Sequence, residues 1–218
     1  MAAPGEASAV TEEILFYTHP MSRGRIARWM LEEVGTPYRT EYLGFGPAMK
    51  AAEYRSINPM GKVPAIVHRG SIVTECAAIC AYLADAFPDR NLAPPPNRRA
   101  DYYRWLFFAA GPLEAAVTNR ALGFIPPAER QGMVGYGTFE SVMDTLEAAV
   151  SRSSYIAGDG FTAADVYVGS HIGWGLNFGS IEKRQAFVDY HARLKDRPAF
   201  KKATAIDNEA LESAKAAG

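Results

Sequence analysis

The sequence of 218 residues predicts an α/β N-terminal domain followed by an all-α C-terminal domain. Strand-like and helix-like patterns alternate in the order βαβαββα over residues 1–86. A proline-rich segment, 87–99, interrupts that pattern, and no strand-like alternation follows it in residues 100–218. We therefore expect an α/β domain at 1–86, a linker at 87–99 and a helical domain at 100–218. The first 12 residues have the composition of a frayed terminus.

The first part of the α/β domain contains a strand, a helix and a second strand. The apolar run at 14–17 has the length and aromatic character of a buried strand. A helix is predicted at 22–34, because apolar residues fall on one face and Gly35 follows them. These apolar residues are Ile26, Trp29, Met30 and Val34. Residues 38–42 form the second predicted strand.

A short helix, a hairpin and a longer helix complete this domain. Residues 47 to about 56 are predicted to be helical. The apolar segments 64–67 and 71–73, joined at Arg69-Gly70, have the pattern of a β-hairpin. An apolar stripe from Cys76 to Ala86 then predicts a helix. The result is a mixed sheet with helices on its faces.

The second half of the chain predicts five helices. They cover about 100–110, 138–151, 163–175, 184–194 and 198–214. The third has the best-specified start, because Thr162 can cap its first turn and Asp165 can reach back in the manner of a capping box.

Charge and composition exclude several classes of function. The 23 basic and 24 acidic residues give a net charge of -1, which argues against nucleic acid and anionic membranes as partners. No apolar run approaches the roughly 20 residues that cross a bilayer, and the first residues lack the pattern of a secretory signal. Cys76 and Cys80 are spaced i, i+4 in a predicted helix, too far apart for a disulfide. We therefore expect a reduced, cytoplasmic protein.

The loop between the first strand and the first helix is suited to an anion. Backbone N–H groups at a helix start attract negative charge, and a thiolate is such an anion. The Ser22 hydroxyl can donate a hydrogen bond to it, and Arg23 adds positive charge. The competing interpretation is that Ser22 only caps the helix.

Two further segments can hold parts of a peptide. A cis bond at Val63–Pro64 would turn the Val63 backbone outward, where an extended ligand can pair with it. The backbone N–H groups of Glu75 and Cys76 can hold a carboxylate, and the Glu75 side chain can accept hydrogen bonds from an ammonium group. Taken alone, Thr74 or Glu75 could instead simply cap the helix.

Together, the three segments resemble the glutathione transferase family, in particular bacterial and fungal members with a Ser-Arg pair after the first strand. The resemblance spans essentially the whole chain and implies a thioredoxin-like first domain. It also implies a role for each segment in holding glutathione. Ser22 or a neighbour would activate the thiol, Val63 and Pro64 would hold the cysteinyl backbone, and Glu75 and Cys76 would hold the γ-glutamyl head. Arg23 and Lys62 complete this predicted site for the co-substrate.

Two features depart from the family pattern. Cys76 stands where the family usually has serine, so one hydroxyl contact is lost. The activating residue is also open, because an alternative alignment on Pro20 puts His19, not Ser22, in that position. A backbone or water-based arrangement is the third option. The loop contains no cysteine, which argues against members that form mixed disulfides with glutathione.

The resemblance also implies an apolar electrophile bound between the domains. We expect Trp105, Phe108 and Trp174 to line that site, with Arg104 and Glu114 able to orient the substrate. His68, His171 and His191 have no metal-ligand spacing, so no metal is predicted. The family further implies a homodimer. The predicted function is conjugation of glutathione to a hydrophobic electrophile, and the alternatives are a non-catalytic binding protein and a glutathione-dependent peroxidase or reductase.

Overall fold

A four-stranded mixed sheet forms the centre of the N-terminal part in the computed structural model, which describes residues 13–216. The expectation for the first 12 residues lies outside the described residues. The strand order is β2-β1-β3-β4. The strands are β1 (Ile14–Thr18), β2 (Tyr38–Tyr42), β3 (Ala65–His68) and β4 (Ser71–Thr74). β1 is parallel to β2 and antiparallel to β3, and β3 and β4 form the predicted hairpin.

The helices of this part confirm the predicted pattern with two differences. They are α1 (Gly24–Val34), α2 (Pro47–Lys50), α3 (Ala52–Arg55) and α4 (Cys76–Ala86). The single helix predicted at 47–56 is wrong in detail, because Ala51 adopts an extended conformation with φ -64° and ψ 151° and divides it in two. Helix α1 begins at Gly24 rather than at residue 22.

The C-terminal part is mostly helical, as predicted. Its helices are α5 (Ala100–Phe108), α6 (Glu114–Ala121), α7 (Phe139–Val150), α8 (Ala163–Phe178), α9 (Gln185–Lys195) and α10 (Pro198–Ala216). The sequence pattern missed α6. A π-helical turn at Ala109–Leu113 contains Gly111 and Pro112 and joins α5 to α6, so the chain continues where these residues suggested a break.

Helix α8 lies in the core and begins with the predicted capping box. Thr162 Oγ1 accepts a hydrogen bond from the Ala164 backbone, and Asp165 accepts one from the Thr162 backbone at 2.8 Å. The buried Asp165 carboxylate also accepts from the Ile156 backbone and the Tyr190 hydroxyl, both at 2.7 Å. Burial raises the pKa of Asp165, and these hydrogen bonds oppose that effect. The cap therefore ties α8 to α9 as well as to its own first turn.

Within the described chain, three ion pairs join helix α1 to the last part of the chain, one of them between Glu32 and Lys202 at 2.7 Å. Arg28 and Asp207 are each 1% exposed and lie 2.8 Å apart, and Arg28 also donates to the hydroxyls of Tyr38 and Tyr42. At the other end of α1, Glu33 accepts two hydrogen bonds from Arg197, at 2.6 and 2.7 Å. The sheet, α1 and α10 are thus connected through buried charge.

Several sequence-based expectations concern absences. Within residues 13–216, none of the helices is both long enough and apolar enough to cross a membrane. The same residues contain no group of three or more His, Cys, Asp or Glu side chains placed to hold a metal ion. Cys76 and Cys80 are free and buried, and burial raises the pKa of the Cys76 thiol.

Candidate active site

The three segments identified from the sequence meet at one end of the sheet. Ala65 is paired with Thr74, so Pro64 and Glu75 are neighbours across the hairpin. The Cys76 thiol donates a hydrogen bond to the Arg23 carbonyl at 3.5 Å, which brings the starts of α1 and α4 together.

A cavity of about 400 Å³, which we call the loop cavity, opens at this end. It is lined by four of the predicted residues, namely Ser22, Arg23, Lys62 and Val63. The other lining residues are Met21, Phe45, Gly46, Met49, Lys50 and Gly61. Glu75 is exposed beside this region and Cys76 is buried beneath it, and neither lines the loop cavity.

The Ser22 hydroxyl takes part in the turn that precedes α1. It donates to the His19 carbonyl at 2.7 Å and accepts from the Gly24 backbone at 2.9 Å. Among the backbone hydrogen bonds of the described chain, none uses the Arg23 N–H. Both the hydroxyl, after a rotation, and the Arg23 N–H can therefore donate to an anion in the loop cavity.

His19 faces a different cavity. Its Nδ1 accepts from the Met21 backbone at 3.0 Å, and its ring lies 3.9 Å from the Phe45 ring. Burial lowers the pKa of His19. The residue lines a cavity of about 800 Å³, the tail cavity, formed with Tyr42, Leu43 and the last turns of α10. The two activating residues that the sequence left open therefore line different cavities, which share Met21.

Arg25 links the turn to α10. Its Nε donates to the Pro20 carbonyl, and its Nη1 donates to the Asn208 side chain at 2.9 Å.

Arg23 connects the loop cavity with the helical part. Its guanidinium donates to Glu114 at 2.7 Å, with the two side chains 46% and 32% exposed. Arg23 and Glu114 also line a cavity of about 150 Å³ between α1, α6 and α8, which we call the interface cavity. Its other lining residues include Leu113, Val117, Thr118, His171, Trp174 and Phe178.

The segment before β3 is held by three side chains that form what we call the loop clamp, Lys50, Tyr54 and Asn58. Lys50 donates to the carbonyls of Met60 and Gly61, at 3.0 and 2.9 Å. The Tyr54 hydroxyl and the Asn58 amide donate to the Lys62 carbonyl, at 2.6 and 2.8 Å. Burial raises the pKa of Tyr54 to about 12, so its hydroxyl stays protonated and donates.

The backbone is unusual at three points near this segment. Gly61 has a positive φ of 57°, and a Cβ there would lie 2.4 Å from the Met49 carbonyl. The Val63–Pro64 peptide is cis. Glu75 has φ 63° and ψ 118°, a conformation that costs energy for a residue with a side chain and that occurs most often at functional sites.

The predicted aromatic residues are divided between core and cavity. Trp105 is 3% exposed in the core, where its ring contacts the Phe108 ring at 5.3 Å. Neither residue is among those that line the loop, tail or interface cavities. Trp174 lines the interface cavity beside Arg23.

His171 is a further polar residue of the interface cavity. Its Nε2 is buried and has no hydrogen-bond partner among the described residues. Burial lowers the pKa of His171 to about 4, and the charge of Arg23 acts in the same direction. The imidazole is therefore neutral at pH 7.

Comparison with known proteins assigns the chain to a family. The model for the N-terminal domain of glutathione S-transferases matches residues 21–86. Glutathione S-transferase GstA of Escherichia coli O157:H7 is 33% identical over 155 residues, which cover 67% of this chain and 74% of the relative. The chain belongs to the glutathione transferase family.

Solved glutathione transferases share its fold. The theta class enzyme of Xanthomonas axonopodis pv. citri, solved with glutathione bound, is 25% identical, with a TM-score of 0.70 over 88% of this chain and 96% of that one. The transferase URE2P6 of Phanerochaete chrysosporium, in complex with oxidized glutathione, is also 25% identical, with a TM-score of 0.74 over 91% of this chain and 97% of that one. The predicted thioredoxin-like domain and all-α part are therefore confirmed.

The sequence patterns did not reveal the residues that support the candidate site of this family member. The loop clamp was not predicted, because its side chains donate to backbone carbonyls and a carbonyl acceptor does not require any particular residue type in the sequence. The pairing of Arg23 with Glu114 required the fold, since 91 residues separate the two. The Asn58-Pro59-Met60-Gly61 turn was predicted from the sequence. Within it, Gly61 was the signal of a loop in which the backbone is tightly packed.

Proposed function

We propose that this glutathione transferase binds glutathione in the loop cavity, holds its sulfur as a thiolate and adds that sulfur to an apolar electrophile in the interface cavity. The observation that carries the proposal is the position of Arg23. It lines both cavities, so the start of α1 lies between the two proposed substrates.

The loop cavity suits a tripeptide. Its volume of about 400 Å³ lies within the range typical of small-molecule sites. The loop clamp fixes the backbone around Lys62, so an extended ligand can pair with Val63 without first ordering this loop. The exposed Glu75 carboxylate can accept hydrogen bonds from the ammonium group of the γ-glutamyl head.

The start of α1 supplies the proposed stabilisation of the thiolate. The 11-residue helix directs its positive dipole end and the Arg23 N–H towards this region. The Ser22 hydroxyl adds a second donor when it rotates away from the His19 carbonyl. Lowering the thiol pKa from about 8.5 by one unit corresponds to about 1.4 kcal/mol of preferential thiolate stabilisation. We expect a shift of about one to two units, because helix ends and charged hydrogen bonds have this strength.

The interface cavity provides an apolar surface with a few polar groups. Trp174 and Phe178 offer aromatic contact, while His171 and Thr118 offer hydrogen bonds. In the proposed reaction with an aryl halide, the thiolate forms a C–S bond, the C–halogen bond breaks and halide leaves. The thiol proton has by then passed to solvent.

Conjugation of glutathione with 1-chloro-2,4-dinitrobenzene tests this function. We expect turnover by the unaltered chain, and a fall in kcat of at least about tenfold in Ser22→Ala, with glutathione affinity changed by less than about twofold. His19→Ala is the matched control and should retain most of the activity. The reverse result, with activity lost in His19→Ala and kept in Ser22→Ala, would assign thiol activation to the tail-cavity side of the turn.

Two observations keep a non-catalytic glutathione-binding protein as the second candidate. Cys76 replaces the usual serine, and the guanidinium of Arg23 is already engaged by Glu114. Glutathione binding detected by calorimetry without formation of an adduct would favour this candidate. Oxidised glutathione formed in place of an adduct would indicate the peroxidase or reductase alternative.

We also propose that the protein forms a homodimer, as the family resemblance implies. Sedimentation equilibrium should give twice the chain mass of 23.7 kDa.

A further inference from the structure

A fourth cavity, which we call the helix cavity, lies among α1, α8, α9 and α10. Its volume is about 320 Å³, and it shares no lining residue with the loop cavity. Three aromatic side chains form part of its wall, Trp29, Trp174 and Phe200. The rings of Trp29 and Phe200 are 4.9 Å apart and nearly perpendicular, at 88°. The size and the aromatic wall suit a single-ring organic molecule.

Two residues of the cavity lining each carry a buried polar atom that has no hydrogen-bond partner among the described residues. One of these atoms is Oδ2 of Asp207, a side chain that is 1% exposed and whose Oδ1 is paired with Arg28. The other is Nδ1 of His191. A buried polar group without a partner costs roughly 1–3 kcal/mol, so both atoms favour a ligand that offers them a hydrogen bond.

The charges around the cavity select a neutral hydrogen-bond donor. A carboxylate oxygen can only accept, so the ligand must donate to Asp207. A cation is disfavoured because Arg25 lines the cavity and Arg28 already neutralises Asp207. A carboxylate ligand is disfavoured because it offers only acceptors, whereas Asp207 Oδ2 requires a donor. A hydroxyl group meets these conditions: its single proton is donated to Asp207, and its oxygen can accept from His191 Nδ1 when that nitrogen carries the proton.

We propose that the helix cavity binds an uncharged phenol. Its hydroxyl donates to Asp207 Oδ2, and its ring packs against Trp29, Trp174 and Phe200. This inference does not rest on the proposed function, because the helix cavity shares no lining residue with the loop cavity and only Trp174 with the interface cavity.

The three tryptophans provide an internal readout. Trp29 and Trp174 line the helix cavity, whereas Trp105 lies elsewhere in the core. Titration of the ¹⁵N-labelled protein with phenol should move the indole signals of Trp29 and Trp174 and leave that of Trp105 in place. Movement of Trp174 alone would place phenol in the interface cavity and overturn the proposal, as would the absence of any shift.

Toluene, benzoate and benzylammonium are the matched probes. Toluene has the shape of phenol without the donor, and we expect it to bind at least about tenfold more weakly, because a hydrogen bond to a charged acceptor is lost. Benzoate and benzylammonium should not shift Trp29. Equal affinity for toluene and phenol would show that the hydroxyl contributes nothing to binding, which would overturn the proposal. This comparison needs no variant.

A cavity-filling variant locates the site independently. Ala203 is 2% exposed and lines the helix cavity, so Ala203→Leu should weaken phenol binding at least about tenfold. Ala205→Leu, on the exposed side of the same helix, is the control and should bind phenol as the unaltered chain does. Undiminished binding by a folded Ala203→Leu protein would contradict the assignment.

Discussion

At the scale of single residues, positions 19 and 22 of the turn before α1 have different surroundings. His19 lines the tail cavity and its ring contacts that of Phe45, a residue of the loop cavity, whereas Ser22 lines the loop cavity together with Val63. The turn between them is closed by the Ser22 backbone and hydroxyl, which both donate to the His19 carbonyl. The positions of the two side chains are therefore coupled through the backbone of this turn.

At Gly24 there is no room for a side chain. A Cβ at this position would lie 1.8 Å from Thr18 Oγ1, a buried atom of β1. We expect Gly24→Ala to lower the free energy of unfolding by about 1–3 kcal/mol, the usual cost of overpacking. Urea denaturation measures this effect.

Gly135→Ala is the control for that change, because a Cβ there meets no atom within 4 Å. It should alter stability by less than about 0.5 kcal/mol. A second change, Thr18→Ala, should recover part of the loss in Gly24→Ala. Equal stability of the two glycine variants would contradict the close approach of α1 to β1.

His171 predicts a dependence of stability on pH. Its pKa is about 4 in the folded protein and about 6.5 when unperturbed. Below pH 6.5 the unfolded chain takes up a proton that the folded chain does not, so stability falls as the pH is lowered towards 4. Between pH 7 and pH 5 this residue should account for a loss of about 2 kcal/mol.

Urea denaturation at the two pH values, repeated with His171→Gln, isolates this contribution. Burial also lowers the pKa values of His19 and His191, so the difference in slope between the two proteins is the relevant quantity. Identical slopes would mean that His171 is solvated in the folded protein.

At the scale of elements, the sequence predicted helices and strands that have a regular apolar pattern. It did not predict the places where such a pattern is interrupted. Helix α1 and the β3–β4 hairpin were predicted because their apolar periodicity is clear and glycine marks the ends. Helix α6 was missed because Gly111 and Pro112 disrupt the periodicity that precedes it, and the structure accommodates them in a π-helical turn. The break at Ala51 had no local signal, since alanine favours a helix.

At the start of helix α8, a conservative substitution of Asp165 should cause a large loss of stability. Asp165 is fully buried and accepts hydrogen bonds from Thr162, Ile156 and Tyr190. Asp165→Asn replaces one acceptor oxygen by a donor and should cost about 2–4 kcal/mol, because buried donors lose their partners. Thermal or urea denaturation measures the change.

Helix α7 supplies the matched comparison. Thr138 caps α7 at an exposed position, where its hydroxyl accepts from the Ser141 backbone at 3.0 Å. Thr138→Ala should cost only about 1 kcal/mol. If the two variants were equally destabilised, the contacts of Asp165 beyond its own helix would contribute nothing.

At the scale of the whole molecule, Glu33 is a point where distant parts of the chain meet. Its carboxylate accepts from Trp29 in the same helix and from Arg197, which precedes α10. The Glu33 side chain is 6% exposed and that of Arg197 is 29% exposed. Glu33→Gln should lower the free energy of unfolding by about 1–3 kcal/mol, because a charge-assisted pair is lost where water is largely excluded.

The exposed Arg39–Glu41 pair serves as the control. Its side chains are 58% and 44% exposed, so Arg39→Gln should change stability by less than about 0.5 kcal/mol. Urea denaturation of both variants tests the difference. Comparable effects would imply that the Glu33 contact is as well solvated as a surface pair.

The candidate site could be predicted in outline but not in its connections. The sequence located the starts of α1 and α4 and the Val63–Pro64 segment, because each has local chemistry that a peptide ligand requires. It did not reveal that Arg23 contacts Glu114, since such a contact depends on how the helical part packs. The same limit applies to Trp105, whose aromatic character is equally consistent with a core position and with a binding surface.

The Arg25 side chain has a mechanical consequence for reactivity. It donates to the Pro20 carbonyl and to Asn208, so it ties the turn that carries Ser22 to helix α10. A shift of helix α10 would therefore be passed through Arg25 to the backbone N–H groups that we propose hold the sulfur. We therefore expect the proposed stabilisation of the thiolate to depend on how α10 docks, because the Arg25 guanidinium connects the two.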